Sequence, residues 1–218
     1  MEVKSTFRNH MLDIIKGVCI LFVIITHYDW QESERSSLLF PFWIDMAVPV
    51  FMVISGYANA ASYKQNQIQC LADIYSFRFL IKKLLRFTIP FSIIYILEVF
   101  IEICMEGNLL FNGSFSYINI FTCFLSGGWG PGSYYYPIMI QFVFVFPIVY
   151  FVIKRNHTLG FVFCLLANAI FEILQYSYGM NESFYRLLLF RYLMLIAFGC
   201  FLYQNREKIF RLSGGSYL

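Results

Sequence analysis

Residues 11–29 read MLDIIKGVCILFVIITHYD, an apolar run that still carries Asp13, Lys16 and His27. At 100° per residue, Asp13, Lys16, Ile20, Ile24 and His27 fall on one face of a helix. Lys16 and His27 are then about 16 Å apart along the axis. A charge at mid-membrane depth costs ~3 kcal/mol on insertion scales. Each polar residue taken alone fits snorkelling to the nearer surface. Their shared face fits a water-accessible cavity, and both readings stand at this level. His27 is the residue best suited to chemistry, because an imidazole changes protonation near neutral pH and can take a proton from a hydroxyl. Asp29 is two residues on and faces elsewhere, so it is a poor partner within this helix.

A second polar set lies in FWIDMAVPVFMVISGYANA. Asp45 needs a partner or water at membrane depth. Pro49, one turn later, cannot donate to the Asp45 carbonyl, which predicts a kink. Ser55 and Gly56 are small enough for close helix contact. Asp45 and His27 are expected at similar depth on consecutive helices, where they can meet. Further on, FRFLIKKLLRFTIPF places Arg78, Lys82 and Arg86 on one helical face, with Lys83 beside them. That face reads as a positive-inside anchor or as a phosphate-binding site for an anionic ligand.

The elements that must hold these residues are set by composition. Of 218 residues 59% are hydrophobic and only 13% are Asp, Glu, Lys or Arg, too few charges for a soluble domain of this size. Six continuous apolar runs, near 11–29, 41–62, 84–105, 134–153, 158–177 and 186–203, approach the ~20 residues needed to cross a bilayer. They do not alternate, so the fold is expected to be all-α and polytopic with about six transmembrane helices, not a β-barrel. Residues 116–127 are apolar but short, as in a re-entrant or interfacial segment. Lys and Arg concentrate in alternate connections, which places the N-terminus in the cytoplasm. The resulting single membrane domain, 1–218, has cytoplasmic tails at 1–10 and 204–218, a basic cytoplasmic segment at 63–86 and an outer loop at 106–133.

A cleaved signal peptide is the rival reading of the first run, but no small-x-small site follows it. The net charge of +3 follows from this topology and gives no indication of nucleic-acid binding. The six cysteines lack C-x-x-C spacing and His neighbours, so they read as packing residues and no metal site is expected. Asn112-Gly-Ser114 and Asn181-Glu-Ser183 match a glycosylation pattern at a frequency that chance allows.

Together these segments resemble the acyltransferase-3 superfamily of integral membrane O-acetyltransferases. The resemblance rests on Lys16 and His27 as a basic residue, ten residues and a histidine. It also rests on Asp45 before Phe51, Ser55, Gly56 and Tyr57. Weaker elements are Lys83 and Arg86 as an Arg-x-x-Arg-like pair, and GPGSYYYPIMIQFVFVFP. Lys16 stands where many members have Arg, and Met52 where a second Phe is common.

The resemblance implies transfer of an acyl group, commonly acetyl, from acetyl-CoA or another acyl-CoA as co-substrate to a hydroxyl of an extracytoplasmic glycan or glycolipid. It implies Lys16, Arg78, Lys82, Lys83 and Arg86 on the acyl-CoA side, and His27 as catalytic base with Asp45 orienting it. An acyl-histidine relay is an alternative step. Trp129, Tyr134, Tyr135 and Tyr136 then face a sugar or form an interfacial belt. Gln141 is a further pore-facing residue, and Glu98 and Glu102 face the same cavity or the headgroups. Arg191 binds an acidic acceptor or snorkels.

The partners implied are acyl-CoA, the glycan and the lipid bilayer, with a bacterial cytoplasmic membrane as the setting. The family usually has more transmembrane helices than six, so the chain is expected to be an incomplete acyltransferase domain. The rival classes are a polysaccharide or lipid-linked-sugar transporter and an inactive fragment. Inverted repeats would favour transport, and none is visible.

Overall fold

The computed structural model describes residues 10–104, 117–129, 132 and 134–212. The expected tail before residue 10 and the whole 106–116 stretch, with Asn112, lie outside the described residues. Every element among those described is helical. In chain order they are α1 (His10–Thr26), α2 (Glu32–Ser37), α3 (Phe40–Trp43), α4 (Ala47–Gln65), α5 (Leu71–Ile74) and α6 (Phe77–Cys104). Then come α7 (Tyr117–Ser126), α8 (Tyr135–Arg155), α9 (His157–Tyr178), α10 (Glu182–Arg186), a 3-10 turn (Leu189–Tyr192) and α11 (Leu193–Leu212).

Four helical stretches, Phe40–Gln65, Phe77–Cys104, Tyr135–Arg155 and His157–Tyr178, are long and apolar enough to cross a membrane. Among the described residues four such helices are found, and the expected count of six is not established. The described part of α1 has 17 residues, or about 25 Å. α11 carries Arg206, Glu207 and Lys208 toward its end. The described part of α7 has 10 residues, or about 15 Å.

The tightest joint is between α4 and α11, and glycine makes it. A β-carbon at Gly56 would lie 2.1 Å from the Ile196 carbonyl oxygen, and one at Gly199 would lie 1.9 Å from that of Val53. Only residues without a side chain allow backbones this close. Around the joint, Met52, Tyr63, Phe142, Phe146, Ile196 and Cys200 are buried in one core built from α4, α8 and α11. α8 turns into α9 through Asn156, whose side chain accepts from the Leu159 amide at 3.0 Å. Ile89, Ile93 and Phe100 on α6 and Phe163, Ile170 and Ile173 on α9 are exposed, an apolar surface suited to lipid. Of the cysteines, Cys19, Cys164 and Cys200 are buried as packing residues, whereas Cys70 and Cys104 are exposed.

The expected break near Pro49 is present but falls earlier. The chain leaves helix at residues 44–46 and restarts at Ala47, so Pro49 sits in the first turn of α4. A proline there forgoes no helical hydrogen bond, since first-turn amides have no intrahelical acceptor. Asp45 is thereby placed in a turn rather than on a continuous helix.

Candidate functional site

His27 follows the last residue of α1 and is exposed there, its amide still bonded to the Ile24 carbonyl at 3.2 Å. It lines a cavity of about 300 Å³ together with Thr26, Asp45, Tyr134, Arg191 and Tyr192. Four separate segments meet here: the end of α1, the turn before α4, the start of α8 and the start of α11. Gly132, before α8, lies near the imidazole, since a β-carbon there would lie 3.9 Å from His27 Nε2. Gly132 has φ +81°, a backbone region that glycine adopts without strain. An apolar cavity of about 270 Å³ adjoins this one and shares Val23, Val48 and Tyr134 with it.

His27 and Asp45 thus share a cavity, but no hydrogen bond joins them. Both Asp45 carboxylate oxygens accept from Arg35 Nη2 at 3.3 Å, on side chains 34% and 33% exposed. The expected orienting contact from Asp45 to His27 is replaced by this pair. Arg35 also lies over the Phe40 ring at 5.5 Å. Trp30 and Trp43 pack edge-on against Phe40, and Phe22 of α1 packs on Trp43, which ties the α2–α3 segment to the end of α1. Sequence reasoning missed Arg35. The available signal was that Asp45 required a partner and that Arg35 lies ten residues before it.

The face running from Lys16 to His27 is not enclosed. Ile20 and Ile24 are 53% and 63% exposed, and Cys19 is the buried residue of α1. α1 leans on α4 along one side, which leaves the polar face beside the apolar cavity instead of inside a tunnel.

At the opposite end of the bundle the basic residues separate. Arg78, Lys82 and Arg86 are exposed, on the α6 side that continues into Ile89 and Ile93. Lys83, a step of 100° around the helix, points inward. Its Nζ donates to Asn59 Oδ1 and to the Tyr63 hydroxyl, both at 3.1 Å, and lies 4.2 Å from the Tyr63 ring centroid and 5.2 Å from that of Phe79. Asn59 and Tyr63 lie on α4, about 18–24 Å along the helix from its start beside Asp45.

Of the expected aromatic and glutamine residues on the substrate side, Tyr134 lines the His27 cavity, as does Arg191. Trp129 stacks on Tyr95 of α6 at 5.5 Å, and its amide donates to Glu98 Oε2 at 3.4 Å, so this pair anchors the loop. Tyr135 packs against Phe51 and Tyr136 against Phe91. Glu102 is fully buried. Gln141 is a strut. Its Nε2 donates to the Leu187 carbonyl at 2.6 Å, and its Oε1 accepts from the Leu189 amide at 3.1 Å. It thereby pins the segment that leads to Arg191.

Arg191 lies 4.7 Å from the Tyr185 ring centroid and 4.9 Å from that of Tyr192. The Tyr185 hydroxyl donates to Glu172, at 3.0 and 2.8 Å from its two carboxylate oxygens. Burial raises the Tyr185 pKa and the Glu172 contact adds to this, while Arg191 acts in the opposite direction.

The arrangement offers an imidazole next to a carboxylate and a guanidinium, with room for a small polar ligand. That set suits proton transfer from a hydroxyl. The acyltransferase-3 family model, an acyltransferase domain, matches residues 9–215. No curated protein and no solved structure matches the chain. With nearly every residue inside that match, and four helices apolar enough to span a bilayer, the chain belongs to the acyltransferase-3 family of membrane acyltransferases.

Proposed function

We propose that the protein moves an acyl group, acetyl in the simplest case, from acyl-CoA to a hydroxyl of an extracytoplasmic carbohydrate, in a bacterial cytoplasmic membrane. The observation that carries this reading is the cavity in which His27 meets Asp45, Arg191 and Tyr134 at the end of the bundle opposite the cationic residues of α6. His27 accepts the proton of the acceptor hydroxyl as its oxygen attacks the thioester carbonyl. The imidazolium then returns that proton to the departing CoA sulfur. Asp45 shares the cavity and favours the imidazolium electrostatically, while Arg35 holds the carboxylate in place. Arg78, Lys82 and Arg86 are the exposed cations for the CoA phosphates. Lys83 supports that surface from inside, through Asn59 and Tyr63.

Removing a general base typically slows a reaction by ~10²–10⁴-fold. His27→Ala should therefore abolish measurable acetyl transfer from acetyl-CoA, at unchanged protein level and membrane insertion. Acetylation retained in that variant would remove His27 from the chemistry. Charge removal at Arg78, Lys82 and Arg86 should weaken acetyl-CoA binding, more so at low salt.

A further inference from the structure

The cations near the His27 cavity are not equivalent. Arg35 is paired with Asp45, and Arg186 with Glu182. Arg191 makes no ion pair and no hydrogen bond among the described residues, yet it lines the cavity wall. A partly desolvated guanidinium is costly unless something compensates it. The Tyr185 and Tyr192 rings do so in part through their π faces, which leaves the N–H edge of the guanidinium unused.

That edge is also held in position. Glu172 fixes the hydroxyl of Tyr185, and Gln141 fixes the Leu187–Leu189 backbone just before the turn that carries Arg191. A planar fork with free donors, held rigid, is suited to bidentate recognition of a carboxylate or phosphate. Its place in the cavity also matters. Tyr185 belongs to the connection outside the helix bundle, at the end away from Lys83. The guanidinium is therefore on the acceptor's side of His27 and not on the donor's.

We infer that Arg191 is an anion subsite for the acceptor, so that the hydroxyl acylated beside His27 belongs to a sugar bearing a carboxylate or a phosphate. This rests on the acyl-transfer reading above for its placement, but it can be tested separately. The full chain in nanodiscs is titrated calorimetrically, at fixed ionic strength, with methyl glucuronide, glucose 1-phosphate and neutral methyl glucoside. Acetyl transfer from acetyl-CoA to each is then followed by mass spectrometry.

At least one charged probe should bind roughly tenfold or more tightly than the neutral one, as a charge-assisted bidentate pair implies. Arg191→Gln should erase that difference, and Arg191→Lys should keep part of it. Tighter glucuronide binding identifies a uronic acid acceptor, and tighter sugar-phosphate binding a phosphorylated one. Equal affinity for charged and neutral probes overturns the inference, as does failure of both charged probes to bind or an equal loss for all three in Arg191→Gln. Charge-selective binding without transfer leaves the anion subsite standing and removes the transfer reading. Transfer without charge selectivity does the reverse.

Discussion

Among the glycines inside helices, Gly17, Gly56 and Gly199 have very different surroundings, and replacing each with alanine tests the packing directly. Gly56 and Gly199 face backbone atoms across the α4–α11 joint, at 2.1 Å and 1.9 Å from where a β-carbon would stand. Gly17 on α1 has nothing within 4 Å. Ordinary contact begins near 3.4 Å, so the joint must widen by about 1.3–1.5 Å in a close-packed interior that resists it. The obstacles are main-chain carbonyls, which cannot rotate away as a side chain can. Overpacking of this kind costs ~1–3 kcal/mol, here at the upper end, against a helix-propensity gain of ~1 kcal/mol for Gly→Ala. The net is a loss of about 2 kcal/mol for Gly56→Ala or Gly199→Ala, or about 4–8 °C in Tm for a chain of this size. Gly17→Ala should be neutral or slightly stabilising.

Because both glycines sit in one joint, the double variant should lose less than the sum of the two. Asp45 precedes α4 and Arg191 precedes α11, so widening shifts both cavity walls, and a shift near 1 Å can cost about a hundredfold in rate. Thermal unfolding of detergent-solubilised protein is the assay, with acyl transfer measured alongside. Equal Tm values for the three single variants would refute the close-contact argument.

Other expectations follow from individual bonds. The Arg35–Asp45 pair is one-third exposed, so Arg35→Gln should cost ~0.2–1 kcal/mol and lower activity by no more than a few-fold. Asp45→Asn should cost more in activity, because it removes the negative charge that shares the cavity with His27, and comparison of the two rates checks this. Lys83→Met strands the Asn59 carbonyl oxygen and removes the donor to the buried Tyr63 hydroxyl, which should destabilise by ~1–3 kcal/mol. Lys82→Met, on the exposed face, should leave Tm unchanged, and matched melting curves decide it. Gln141→Leu removes both bonds to the Leu187–Leu189 backbone. It should lower Tm and also weaken binding of charged sugars through Arg191, and an unchanged Tm would show that the strut is dispensable.

Helix positions were legible because lipid-facing and core-facing runs are continuous in sequence: each of the six expected runs overlaps helix, although 41–62 is broken at residues 44–46 and 186–203 begins before α11. The close α4–α11 contact was half legible. Gly56 announced a small face, but nothing local named Gly199 as its counterpart. Shared depth on consecutive helices was enough to bring His27 and Asp45 to one cavity. It was not enough to pair them, since the pairing depends on a turn at residues 44–46 that aims Asp45 toward α2. Gln141 was misread for a related reason. Its partners are backbone atoms 46 and 48 residues away, and backbone groups carry no sequence signal. Lys83 differs from Lys82 by one step around α6, so its inward direction could be known only from the side of α6 that meets α4.

The two polar ends of the molecule have one member in common. α4 begins beside Asp45 and Val48 in the His27 cavity and carries Asn59 and Tyr63, which hold Lys83, near its far end. Gly56 lies between them, where α4 touches α11 backbone to backbone. The spacing of the two ends is therefore fixed by the rise of a single helix, 1.5 Å per residue, and not by loop closure. α11 is bound to the same point and begins just after Arg191, so the guanidinium is referred to the same rigid axis. Under the proposed chemistry, a donor anchored by its phosphates at one end must present its thioester at the other over a length the protein cannot adjust. Selection among donors then depends on the reach of their arm, while selection among acceptors depends on the charge that meets Arg191.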